Sequence, residues 1–228
     1  MQDNNEPKKL ACYRLLIDEN DDTEVNYISM VEDPAIKIDW FAFSNGDVKP
    51  KEQEFKFKTL NKEHAEKRMI SGVFMVPDKP IYRVDKESGE EYFVMFTADD
   101  IERARNKFMK SRYNNQIDTE HNEIANGCYL VDTWILRDED SNPVKKYGFE
   151  NIPVGAWVGT IKVDDDAIWN DFIKTGKIKG FSVSGMFKFG KKSLINTFKD
   201  EKTPHTFTAE ELKFISDIAD FLLDDENI

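Results

Sequence analysis

Residues 178–189 read IKGFSVSGMFKF, and this stretch decides how the chain is understood. Phe181 and Val183 fall on one face at period two, and Ser182 and Ser184 on the other, as in a β-strand. Gly180 and Gly185 flank the serines, so the backbone here can approach a ligand closely. The Gly-x-Ser-x-x-Gly pattern is loose, and it differs from the hydrolase nucleophile elbow because no helical pattern follows it. Two meanings stay open: an ordinary strand with a solvated polar face, or a serine presented for chemistry.

Strand-like segments recur along the chain. The runs at 13–17, 25–31 and 38–43 (IDWFAF) are separated by acidic and Asp-Pro breaks. Residues 69–76 (MISGVFMV) form a strong strand. Segments 81–84 and 91–96 flank the turn-rich stretch 85–89 as a hairpin. Further strands are expected at 128–136 (CYLVDTWIL) and 155–163 (GAWVGTIKV). Thr97 followed by Asp99 and Asp100 caps a helix through Ile101, Ala104, Phe108 and Met109. Residues 164–166 cap a second helix, through Ala167, Trp169, Phe172 and Ile173, which Gly176 ends. A third runs from Thr208 with an apolar stripe at Leu212, Ile215, Ile218, Ala219 and Leu222. Residues 1–9, 116–122 and 143–153 read as loose or loop segments, and 44–57 as a linker or hairpin excursion. The pattern predicts a mainly β, α+β fold. The expected organisation is a strand-rich N-terminal extension over 1–60, packed on or preceding the core, a core domain over 61–190, and a linker with an amphipathic helix over 191–228.

The bulk composition narrows the classes. The formal net charge is −12, whereas a nucleic-acid binder normally carries a basic face, so no direct nucleic-acid binding is expected. No run of about 18 apolar residues is available to span a membrane, and the opening MQDNNEPKK lacks the apolar stretch of a secretion signal. The two cysteines, Cys12 and Cys128, form no CxxC pair and no zinc-ligand spacing. No metal or cofactor is expected, and Cys128, set in an apolar run, reads as core.

Three histidines are present, His64, His121 and His205, and general-base work near neutral pH falls most often to this residue. His64 lies in a charged stretch and reads as solvated surface. His121, in IDTEHNE, stands in a polar segment just before the strand at 128–136 and is either exposed or a base. A serine hydroxyl becomes a good nucleophile only when an imidazole takes its proton. The residues alone therefore reach a serine-hydrolase hypothesis built on His121 and the serines of residues 178–189.

A set of ordered landmarks carries the reading further. They run from GVFMVPDK at 72–79 and IYR at 81–83 through TADDI at 97–101, TEHN at 119–122 and VDTWI at 131–135. PVGAW at 153–157, KVDD at 162–165, Trp169, KTG at 174–176 and KGFSVSG at 179–185 follow. Together, over 69–187, they resemble the XkdF-like serine proteases of phages and prophages. ISMVEDPA at 28–35 is also similar to openings found in such proteins.

The resemblance implies a prohead maturation protease, similar in fold to herpesvirus assemblins, with a β-barrel core surrounded by helices. It implies a serine endopeptidase in the host cytoplasm, inside the immature prohead, with phage scaffold and major capsid proteins as substrates. Ser182 carries over as nucleophile and His121 as base. Asp132 stands as third member, an acid where the family tends to carry Glu, with His205 as its rival. A homodimer formed through a helix is a further implied partner. The alternatives are an inactive assembly protein that keeps the protease fold, and a peptide-binding module that works by strand addition.

Overall fold

The computed structural model describes residues 8–34, 62–138 and 152–197. The strand expected at 38–43, the linker at 44–57, most of the loop at 143–153, His205 and the helix from Thr208 lie outside the described residues. Two strands open the chain, β1 (Lys8–Leu16) and β2 (Glu24–Val31). β1 begins at Lys8, so the loose segment expected over 1–9 already contains strand. After the short helix α1 (Lys62–Glu66) come β3 (Met69–Met75), β4 (Ile81–Val84) and β5 (Glu91–Met95), the last two paired antiparallel as the hairpin reading expects.

Helix α2 (Ala98–Lys110) starts where the sequence puts its cap. The Thr97 hydroxyl accepts the Asp100 N–H and the Asp100 carboxylate accepts the Thr97 N–H, a reciprocal capping box. Ile101, Ala104 and Phe108 are buried on one stripe, while Met109 falls off it and is exposed. The Asp100 carboxylate is fully buried and takes Arg14 of β1 at 3.0 Å and Arg103 at 2.7 Å. Burial works to raise its pKa, but the hydrogen bonds from Thr97, Arg103 and Arg14 outweigh it and hold the carboxyl below its usual value.

The segment 116–122, expected as loop, holds β6 (Ile117–Thr119) and leads to β7 (Glu123–Ile124). Its buried Ile117 and Asp118 are too few to give a periodic signal. β8 (Cys128–Ile135) and β9 (Trp157–Val163) follow. The helix expected around Trp169 is a π-helical segment, Ile168–Ile173, started by Asp165 accepting the Ile168 N–H and followed by Gly176 at φ +71°. The single strand expected at 178–189 is two, β10 (Gly180–Met186) and β11 (Lys188–Thr197), which join different sheets.

The described strands form three sheets, in the orders β11-β1-β5-β4, β10-β2-β6-β7 and β3-β9-β8. The mainly β, α+β class is therefore correct, but no closed barrel forms among the described residues. β3 and β10, each at the edge of its sheet, meet through side chains instead of a hydrogen-bonded ladder. Phe74 and Phe181 pack edge-to-face with ring centroids 4.9 Å apart. Phe74 also meets Trp157, and Trp157 meets Phe108 of α2, at 5.4 and 5.5 Å. Each such contact contributes about 1 kcal/mol beyond burial. This chain of rings fixes β10 to the rest of the core.

Strands from the N-terminal extension ladder onto those of the core segment. β1 and β2 pair directly with strands of the 61–190 segment, and β11 crosses residue 190. At the bulge after Ser184, β10 comes so close to β2 that a Cβ on Gly185 would lie 2.0 Å from the Glu24 carbonyl oxygen. Gly185→Ala is expected to cost at least about 2 kcal/mol, read as a lowered urea midpoint with an unchanged slope.

Candidate active site

β2 is the middle strand that assembles the site. Its Ser29 stands in register with Ser182 of β10 on one side and with Asp118 of β6 on the other. Paired residues share a face, so Ser182, Ser29 and Asp118 form one polar row, with Ser184 two positions along β10. All three residues of the row are buried, Ser182 at 4% exposure. The serine-bearing face of β10 is covered rather than solvated at Ser182.

His121 hangs over this row from the turn between β6 and β7. Glu120 and His121 both have positive φ, 53° and 57°. The Asn122 N–H donates to the Thr119 carbonyl at 3.0 Å, giving the pattern of a type I′ turn, whose central positions usually hold Gly, Asn or Asp. A non-glycine residue there costs about 1 kcal/mol. Three contacts hold the turn against that strain. The Glu120 N–H donates to the Met30 carbonyl at 3.1 Å. The Glu120 carboxylate accepts the Glu32 N–H at 2.6 Å, and the Asp118 carboxylate accepts the His121 N–H at 3.2 Å.

The imidazole reaches two hydroxyls. Its Nδ1 lies 2.8 Å from Ser29 Oγ and 2.7 Å from Ser184 Oγ. No hydrogen bond joins it to Ser182 among the described residues, although Ser182 is directly across from Ser29. The expected direct Ser182–His121 contact is thus replaced by one to Ser184, diagonal to Ser29 on the same face. Asp132 is exposed on β8, in register with Thr160 of β9 and in a different sheet from β2, β6 and β10, and makes no hydrogen bond or ion pair with His121 among the described residues. The places that a third member would take, beside the ring and beneath its backbone, are filled by Ser29 and Asp118. The sequence held one signal for Ser29: a lone hydroxyl inside the apolar run Tyr27–Val31. Asp118 gave none, because its segment read as loop.

Ser182 also lines a cleft of about 280 Å³, whereas Ser184 does not. The cleft's walls come from the end of β3, the β4–β5 hairpin and the run from Val183 to Phe189. Of the two cysteines, Cys12 and Cys128 are both buried, and burial pushes each thiol up to about 12. Neither supplies a thiolate nucleophile near neutral pH. Among the described residues no cluster of three or more His, Cys, Asp or Glu side chains could hold a metal, and no helix is long and apolar enough to cross a membrane.

A family model described as "Putative phage serine protease XkdF" matches residues 56–190. No curated protein and no solved structure matches the chain. The matched span contains His121, Ser182 and Ser184, while Ser29 precedes it.

Two outcomes test this geometry. His121→Gly is expected to be more stable than His121→Ala by about 1 kcal/mol, because only glycine escapes the left-handed penalty; equal urea midpoints would remove the strain. Both cysteines are expected to resist iodoacetamide at pH 8 in the folded chain and to react on unfolding, read by intact mass.

Proposed function

The chain belongs to the family of phage serine proteases XkdF, and from that premise we propose that it is a serine endopeptidase processing phage capsid and scaffold proteins during prohead maturation. The work is done inside the immature prohead in the host cytoplasm, on an open three-sheet version of an assemblin-like core. The observation that carries this reading is the imidazole of His121, held by a strained turn against the serine-bearing face of β10 and β2.

Ser182 is the nucleophile and His121 the base. With the proton on Nδ1, the ring donates to the hydroxyls of Ser29 and Ser184, and the lone pair sits on Nε2. This is the division of labour of a serine–histidine site, with one nitrogen held and the other free to take a proton. Ser29 and Ser184 then serve as positioning residues, in the role first expected of Asp132. As Ser182 Oγ attacks the scissile carbonyl, its proton passes to Nε2. The imidazolium returns it to the leaving amine, and water hydrolyses the acyl-enzyme by the same route. Ser182 is preferred over Ser184 because it also borders the cleft, where a substrate side chain can sit.

One observation favours a second reading. The 2.7 Å contact of Ser184 Oγ with Nδ1 suits Ser184 as nucleophile, with Nδ1 as the accepting nitrogen. A non-enzymatic assembly role predicts binding without cleavage.

Co-expression with the phage's own capsid and scaffold proteins, read by intact mass, separates the readings. Ser182→Ala is expected to abolish cleavage, with a loss of about 10⁴-fold or more. Ser29→Ala is expected to lose about tenfold, the worth of one orienting hydrogen bond, and Ser184→Ala to remain within about that range. A fluorophosphonate adduct is expected on Ser182. An adduct on Ser184 with Ser182→Ala still cutting would establish the second reading, and intact substrates with every variant would leave only binding.

A further inference from the structure

The cleft beside Ser182 has an unusual charge balance for this chain. The protein carries 44 acidic and 32 basic residues, yet the cleft is lined by two cations, Lys79 and Arg83, and by no carboxylate. Apart from Ser182 and Tyr92 the rest of its wall is apolar, with Phe74, Val94, Phe96 and Phe187 prominent. Arg83 lies on β4, the edge strand of its sheet, and is half-buried. Its guanidinium donates to the Tyr82 carbonyl at 2.9 Å and has no ion-pair partner among the described residues. Burial lowers its pKa, with the neighbouring Tyr92 opposing that shift. The cation is therefore partly desolvated without a paired anion, a cost that a carboxylate entering the cleft would offset.

The cleft also lies where a peptide would pass. Among the described residues β4, which carries Arg83, is hydrogen-bonded on one side only, to β5, so its other edge can accept an extended strand. A strand seated there would run beside Ile81 and Arg83, which alternate along β4 and both line the cleft. The apolar walls suit methylene groups, and the guanidinium suits a carboxylate at their end.

We propose that this cleft is a specificity subsite for a glutamate side chain of the peptide substrate, with Arg83 as its carboxylate partner, next to the bond cleaved. The inference rests on the endopeptidase reading for its position, but binding tests it apart from catalysis. A random heptapeptide library is passed over immobilised Ser182→Ala chain, and the bound fraction is sequenced by mass spectrometry. Glutamate is expected to be enriched at one fixed position. A matched peptide with Glu there should bind about tenfold tighter than its Gln counterpart, the ratio expected of one charge-assisted hydrogen bond.

Adding Arg83→Gln should remove that ratio while circular dichroism stays unchanged, as an edge-strand position allows. Arg83→Glu should turn the preference toward Lys or Arg. Enrichment of apolar residues without Glu, a Glu preference that survives Arg83→Gln, or no peptide retained would each overturn the subsite. Cleavage of the selected peptides by the wild-type chain reports separately on the endopeptidase: bound but uncut peptides keep the subsite and remove the enzyme.

Discussion

The site depends on the double pairing of β2. Antiparallel to β10 and parallel to β6, this one strand fixes the register that lines up Ser182, Ser29 and Asp118. A slip of one residue in either ladder would send the corresponding side chains to the opposite face. Two close fits resist such a slip. Gly185 sits against the Glu24 carbonyl, where a side chain has no room. Phe181, the neighbour of Ser182, is locked by its ring contact with Phe74 into the chain of aromatics that reaches α2. The packing of Phe181 in the core and the placing of Ser182 in the polar row are thus consequences of the same alternation along β10.

The His121 turn follows a different logic. Two adjacent left-handed non-glycine residues are unfavourable for folding, and glycine would suit both positions better. The chain keeps a histidine there and steadies it through Asp118, Glu120 and the backbone of β2. Strain held by surrounding contacts is characteristic of positions where geometry serves chemistry. The buried acid below the turn acts on the backbone rather than on the ring. Ring orientation falls to hydroxyls, which can donate or accept as the tautomer requires.

Much of this was legible in the sequence, for physical reasons. Apolar runs such as 25–31, 69–76 and 155–163 fold as strands buried along most of their length, as their composition dictates. The capping chemistry of Thr97 and Asp100 placed α2 to the residue. Three features were not legible. β6 is short and joins β2 from far along the chain, so the segment read as loop. The break between β10 and β11 depends on the chain crossing between sheets near Phe187, which a continuous apolar pattern conceals. Ser29 came to the imidazole through two strand registers, and no local pattern encodes a register. For the same reason Asp132, an acid in a recognisable motif, drew attention that its exposed place on β8 does not support.

Hydroxyls hold His121 at Nδ1, which in the proposed mechanism leaves Nε2 as the base. Long-range ¹H–¹⁵N spectra of the imidazole nitrogens measure this directly. The chain has three histidines, and a His121→Gln spectrum identifies the signals of His121. The account predicts, at a pH where the ring is neutral, a protonated, pyrrole-like Nδ1 and an unprotonated, pyridine-like Nε2. A proton found on Nε2, with Nδ1 the bare acceptor facing Ser29 and Ser184, would contradict it.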